Sequence, residues 1–248
     1  MITVHLLGTG SADGGPDRTT TMLAVEHGAA TVLVDCGGDA VHRLLASGLR
    51  PKDLSAVVLT HEHPDHISGF PLLVEKVWLR GRREPIDVYG LAPTLEKARA
   101  LFSVFNTDKW EGLPEIRYHD VAPEPGAPVT TLDGLEITAT PVVHPVPTIG
   151  LCFEAGGVRV AYSCDTAPTG AVVEMGRDAD LLIHEATGSL DGVHSSPEEA
   201  AAIAAQAGAG RLVLVHAPPG VTDDGLGDAR ATFAETSWGW DGARIEVG

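Results

Sequence analysis

Short apolar runs alternate with glycine- and proline-bearing turns along the whole chain. Strand-like segments recur as "TVHLL", "TMLAVE", "TVLVD", "AVVLT", "IDVYG", "LEITATPVV", "IGLCFE", "VRVAYS", "DLLIHE", "RLVLVH" and "ARIEV". Many alternate apolar with polar positions, and others are β-branched runs bounded by turn residues; both patterns predict strands. Three segments repeat at helical spacing instead. In "DAVHRLLASGL", Val41, Leu44, Leu45 and Leu49 share one face, and a glycine lies near the end. "FPLLVEKVWL" is a second helix, able to serve as core or as a subunit interface. "SSPEEAAAIAAQAGAG" carries a capping box in Ser196 and Glu199, Pro197 at the first helical position, and Gly208 or Gly210 as a stop.

Strands outnumber helices, so the pattern predicts layered α/β with sheet packed inside helices. The sequence has no internal repeat and no long linker. "APEPGAP" (122–128) reads as a surface loop, and residues 1–248 are expected to form one domain.

Composition narrows the class. Hydrophobic content of 44% with 21% charged residues is globular rather than disordered. No apolar run approaches the roughly 18 residues of a membrane helix, and "MITVHLLGTGS" lacks the basic-then-apolar form of a signal peptide. Three cysteines without C-x-x-C spacing suit a reducing compartment. A cytoplasmic protein with no membrane association is expected. The formal charge of −17 argues against a broad nucleic-acid face, because such faces neutralise phosphates with Lys and Arg. The one basic cluster, "KVWLRGRREP", reads as a solvated helix end.

The candidate chemistry is concentrated in "LTHEHPDHISG", where three histidines and an aspartate fall within six positions, spaced H-x-H-x-D-H. Other such residues sit at strand ends. Asp35 ends "TVLVD", His61 follows "AVVLT", His144 ends "ITATPVVH", Asp165 closely follows "VRVAYS", Glu185 ends "LLIHE" and His216 ends "RLVLVH". Open α/β sheets gather ligands at that edge. Imidazole with carboxylate suits zinc, and such a set can hold two metals about 3.5–4 Å apart that activate a water. His5, His27, His42 and His119 are expected only to pack or be solvated, and His184 to face the opposite side of its strand from Glu185.

These residues resemble the metallo-β-lactamase superfamily over nearly the whole chain, in the family order. The resemblance implies a four-layer αββα sandwich. It implies one metal on His61, His63 and His144, a second on Asp65, His66 and His216, and Asp165 between them. The cofactor is then two Zn²⁺, with Mn²⁺ or Fe²⁺ as substitutes, and Asp35 orients a ligand histidine. Within the superfamily, "LLGTGSADGGPDRTTTMLAV", "YSCDT", "DLLIHEAT" and "HSSPEEAA" look like the ribonuclease Z branch, with Cys164 where that branch has glycine. The branch implies His194, assisted by Glu185, as proton donor to a leaving alkoxide, with Asp65 also at the catalytic centre.

Two departures shape the expected substrate. Only 20 residues separate His144 from Asp165, too few for the RNA-gripping arm of that branch, and "LVHAPPG" lacks the usual serine and basic residues. A small-molecule substrate is therefore expected, and transfer RNA is not. The expected activity is hydrolysis of a small or medium phosphodiester by metal-bridging hydroxide. Thioester, lactone or other ester hydrolysis is the alternative, and a non-hydrolytic di-metal protein is the weakest reading. Arg18 in the N-terminal loop reads equally as a phosphate contact or a turn residue. The resemblance also allows a homodimer.

Overall fold

The computed structural model describes residues 1–248. Six strands come first: β1 (Ile2–Gly8), β2 (Met22–His27), β3 (Ala30–Val34), β4 (Ala56–Leu59), β5 (Ile86–Gly90) and β6 (Ile116–Asp120). Seven more follow: β7 (Ala127–Leu132), β8 (Leu135–Pro141), β9 (Ile149–Ala155), β10 (Val158–Tyr162), β11 (Leu181–Glu185), β12 (Leu212–Val215) and β13 (Thr236–Trp238). The last strand, β14 (Arg244–Val247), returns to pair with β1. The sheets run in the order β14-β1-β2-β3-β4-β5-β6 and β13-β12-β11-β10-β9-β8-β7.

Period-two burial explains the layering. In β1, Ile2, Val4 and Leu6 enter the apolar layer between the sheets, while Leu7 joins the layer under the first set of helices. In β12, Val213 and Val215 face inward, while Leu212 and Leu214 face the second helical layer. The layer between the sheets is the largest, with 28 buried residues against 21 and 18 outside, so both sheets are buried on two faces. The helices are α1 (Ala40–Ala46), α2 (Pro64–Ile67), α3 (Phe70–Leu79), α4 (Ala92–Ser103), α5 (Gly170–Met175), α6 (Pro197–Ala207) and α7 (Gly227–Thr232). Buried residues of α1, α3 and α4 pack on the first sheet, and those of α5, α6 and α7 on the second. The result is the expected αββα sandwich.

Local chemistry sets the helix ends as the sequence predicts. Ser196 and Glu199 close the capping box on α6, and Gly208 ends it at φ 69°. In α3, Phe70, Leu73, Val74 and Val77 form the buried stripe, so this helix is core to its own chain, with Leu79 left exposed. In α1, Ala40, Val41 and Leu44 form the buried face, and Leu45 is exposed rather than part of it. The basic cluster also differs from expectation. Arg82 is buried, and its guanidinium donates to the carbonyls of Leu54 (2.6 Å), Lys52 (3.1 Å) and Glu84 (3.1 Å), which pins the chain before β4. No helix is long and apolar enough to cross a membrane.

Strand direction positions the site. β3 to β6 run parallel, as do β10 to β13, and β8 shares their direction because it and β10 both oppose β9. Asp35, His61, His144, Asp165, Glu185 and His216 accordingly lie at or just after the C-terminal ends of β3, β4, β8, β10, β11 and β12.

Candidate metal centre

The H-x-H-x-D-H segment leaves β4 and turns into α2, with Pro64 at the first helical position and His63 just before it. The loop after β3 lies against that turn so closely that a Cβ at Gly37 would overlap the carbonyl of Asp65. Three non-glycine residues near the cluster adopt left-handed backbone: Asp35 at φ 60°, Cys164 at 55° and His216 at 53°. Such positions strain an L-residue and concentrate at functional sites. Cys164 stands where the resemblance places glycine, and its positive φ is the physical reason glycine suits that place.

Two donor groups form. His61 Nε2 and His144 Nε2 lie 3.1 and 3.2 Å from His63 Nδ1. His66 Nε2 lies 3.4 Å from Asp65 Oδ2, and His216 Nε2 lies 3.4 Å from the same oxygen. Asp165 Oδ2 stands between the groups, 3.9 Å from His61 Nε2, 3.5 Å from His66 Nε2 and 3.2 Å from His216 Nε2. Zinc ligands at about 2.0–2.1 Å in a tetrahedron sit about 3.3 Å from one another, which matches these separations. His66 Nε2 and Asp165 Oδ1 are buried without a hydrogen-bond partner, an arrangement that fits metal coordination and that is costly without it.

The far side of each ring fixes its tautomer. His66 Nδ1–H donates to Asp35 Oδ2 at 2.8 Å, while Asp35 also accepts from the Thr60 backbone N–H (2.8 Å) and hydroxyl (2.7 Å). His144 Nδ1–H donates to the Val193 carbonyl at 3.0 Å. The Thr187 hydroxyl donates to the His216 carbonyl, so at 2.6 Å it accepts from His216 Nδ1–H. His61 Nδ1 faces Thr60 Oγ1 at 3.1 Å and Cys164 Sγ at 3.6 Å. Each arrangement occupies Nδ1 and leaves Nε2 facing the other donors, the side a metal would take.

Electrostatics agree. Burial pushes the His61 pKa far down, helped by His66, His144 and His63, and burial also lowers that of His144. Both shifts favour the neutral imidazole, the form a metal would require. Burial works to raise the carboxyls of Asp65 and Asp165, but the neighbouring His216 and His66 hold both well below the usual range. His66 stands the other way. Burial opposes its charge, yet Asp165 and Asp35 draw its pKa above the ordinary value, in a field that a divalent cation would satisfy.

Beside this cluster, Glu185 is fully buried at the end of β11. Its Oε1 accepts from His194 Nδ1–H (3.0 Å) and from the backbone N–H groups of Ser195 (2.8 Å) and Thr166 (3.3 Å). Its Oε2 accepts from the Thr187 N–H at 2.9 Å. The His194 ring centroid is 5.4 Å from those of both His144 and His216, and its side chain keeps 16% exposure. Burial would lower the His194 pKa, but the bond to Glu185 and its charge raise it. The neighbouring His184 is also buried and, with Leu182, lies on the opposite side of β11 from Glu185.

Residues 30–217 match a family model described as a beta-lactamase superfamily domain. The chain belongs to the beta-lactamase superfamily. It is a metal-dependent hydrolase of that superfamily and is ribonuclease Z-like within it. Ribonuclease Z of Mycobacterium marinum is 33% identical over 275 aligned positions, covering 100% of this chain and 96% of the relative. The metallo-beta-lactamase fold protein YhfI from Bacillus subtilis superposes with a TM-score of 0.83 at 25% identity, covering 100% of this chain and 99% of its own. The short form of human tRNase Z superposes at 0.82 with 23% identity, covering 99% of each chain.

The substrate expectation is corrected by these superfamily relatives. A small molecule was expected in place of transfer RNA, whereas similarity to a ribonuclease Z extends over the full length of this chain. Net charge sums the whole surface and does not fix the field at one cleft. The short segment between His144 and Asp165 does form only a turn and the β9–β10 hairpin.

Sequence reasoning missed Thr60, Thr187 and the Val193 carbonyl, which hold the histidines from behind. Thr60 and Thr187 each lie next to, or two residues from, a strand-end candidate, which is their only signal.

Proposed function

We propose that the chain hydrolyses RNA phosphodiesters with the aid of two divalent cations, zinc by the character of the donors. His61, His63 and His144 would hold one cation, Asp65, His66 and His216 the other, and Asp165 would serve both. When bound, such a pair supplies hydroxide near neutral pH and offsets charge on the phosphoryl oxygens. Asp35 holds His66 in its ligating tautomer. His194 holds its proton beside the cluster and delivers it to the departing ribose oxygen. Glu185 orients the ring and stabilises the imidazolium.

The observation that carries this reading is the buried Glu185–His194 pair at 3.0 Å beside a complete donor cluster. A good leaving group needs no such acid, whereas an alkoxide does. The ribonuclease Z relatives support RNA as the polymer. The test is to assay metal-loaded protein on precursor transfer RNA, a short RNA, bis(p-nitrophenyl) phosphate, an acyl thioester and a lactone. Cleavage of the RNA phosphodiesters, with none of the thioester or lactone, is expected. Turnover of carbonyl substrates alone would overturn the proposal.

A further inference from the structure

Arg18 does not present its charge to solvent as a phosphate contact would. It is buried, and its Nη1 donates to Thr9 Oγ1 at 2.6 Å and to the Gly239 carbonyl at 2.5 Å. Its guanidinium lies 3.9 Å from the ring centroid of Trp240 and 5.8 Å from that of Trp238. Trp238 is buried, whereas Trp240 keeps 44% exposure although the guanidinium covers one face. A large aromatic stacked on a buried guanidinium and still nearly half-exposed is an unusual surface element.

Trp240 lines a cavity of about 270 Å³ together with the Gly14–Gly15 turn, Asp17, the inner side of Arg18, Pro219 and Val221. The volume is just below the roughly 300–1,000 Å³ of sites for drug-sized ligands, so it suits one flat ring system rather than a whole nucleotide. The walls are tied to each other and to the donor cluster. The Ser11 N–H donates to the Ala217 carbonyl at 3.0 Å, and the Ala217 N–H donates to the Thr9 carbonyl at 2.9 Å. Pro219 follows His216 by three residues, no more than about 11 Å of extended chain.

The local charge decides what the cavity takes. Asp17, Asp223 and Asp241 surround Arg18, and Arg43 is already paired with Asp241 at 3.3 Å. A phosphate there would meet carboxylates. An uncharged aromatic ring would not, and the exposed part of Trp240 offers it a stacking partner.

We infer that the cavity between the Gly14–Gly15 loop and the Pro219–Val221 loop is a nucleobase subsite, in which a base flanking the scissile phosphodiester stacks on Trp240. This rests on the RNA reading above and adds a recognition element to it. Stacking on an aromatic side chain tolerates any base, so the subsite positions a nucleotide without reading its identity.

The experiment compares short RNAs that carry either a base or an abasic ribose on each side of the cleaved bond in turn. In the wild type, the base on one side is expected to raise kcat/KM roughly ten-fold over its abasic counterpart. In Trp240→Ala that ratio should fall toward one, and Trp240→Phe should restore most of it. An unaltered ratio in Trp240→Ala would overturn the subsite. A second measurement needs no catalysis and no folded variant. The indole N–H signal of Trp240 in the wild type is followed by NMR on adding adenosine monophosphate or ribose 5-phosphate. A shift with the nucleotide alone supports the subsite, and no shift, or equal shifts with both, overturns it. If the indole responds but no phosphodiester is cleaved, the subsite stands and the proposed activity falls.

Discussion

His194 donates its Nδ1 proton to the buried Oε1 of Glu185 across 3.0 Å, and the same oxygen accepts the Ser195 N–H at 2.8 Å. The imidazole is thereby held from behind by a carboxylate that has no other side-chain donor. An imidazole held in this way is suited to giving up a proton near neutrality.

Replacing His194 separates leaving groups. His194→Ala should lower kcat about 10²- to 10⁴-fold for an RNA phosphodiester, the usual worth of a positioned general acid. The loss should be much smaller for bis(p-nitrophenyl) phosphate, whose phenolate departs unaided. Equal losses on both substrates would remove His194 from proton delivery.

The pH profile tests its partner. Glu185 raises the His194 pKa, so the protonated, acid-competent form persists above the usual histidine range and is lost as pH rises through the raised value. Activity should therefore decline on the alkaline side. Glu185→Gln removes the charge, so that decline should move to lower pH. A limb that stays in place would show that another group sets it.

Asp35→Asn addresses the donor cluster. The amide cannot accept from His66 Nδ1–H with the strength of the carboxylate, and it also weakens the two bonds from Thr60. Metal affinity should fall about 10- to 100-fold, the typical effect of losing such a partner. Competition with a chromophoric chelator reads this directly, without any assay of turnover.

Metal removal should lower the melting temperature as well as abolish activity. A ligand bound only by the folded chain stabilises it by RT ln(1 + [L]/Kd), so the melting point should climb again with each increment of zinc returned. Scanning calorimetry over a zinc series is the check, and a flat series would contradict the assigned donors.

Asp39 offers a test away from the centre. It accepts from the His42 N–H at 3.1 Å to cap α1 and pairs with Lys76. Burial acts to raise its pKa, but Lys76 and the His42 N–H outweigh it and leave the value lowered. Its contribution is thus present above the ordinary carboxylate value of 3.8 and is lost as pH falls through the lowered one. Asp39→Ala should cost about 1 kcal/mol at neutral pH by loss of the cap. In acid the two proteins should converge, as urea unfolding at both pH values would show.

The parts of this fold written in short-range patterns were legible, and those written in packing were not. Strand ends carrying His61, His144, Asp165 and His216 could be read from apolar runs, and the α6 cap from Ser196 and Glu199. Three strands escaped. "IRYHD" of β6 and "APVTTL" of β7 form sheet edges, where polar residues and Pro128 are tolerated, and β13 is only three residues long. α4 escaped because its buried stripe relies on Thr94, Leu95 and Ala98, a weak apolar signal. Arg82 was misjudged because a cation's charge is visible in sequence, but the carbonyls of Lys52 and Leu54 that enclose it come from a distant segment.

The donor cluster draws on both sheets. His61, His63, Asp65 and His66 follow β4 in the first, whereas His144, Asp165 and His216 follow β8, β10 and β12 in the second. As the chain emerges during synthesis, its first half therefore holds only part of the set, and the last member arrives with residue 216. The group of His61, His63, His144 and Asp165 is thus complete by residue 165, whereas the group of Asp65, His66 and Asp165 waits for His216, so the two halves of the cluster are finished in turn as the chain emerges.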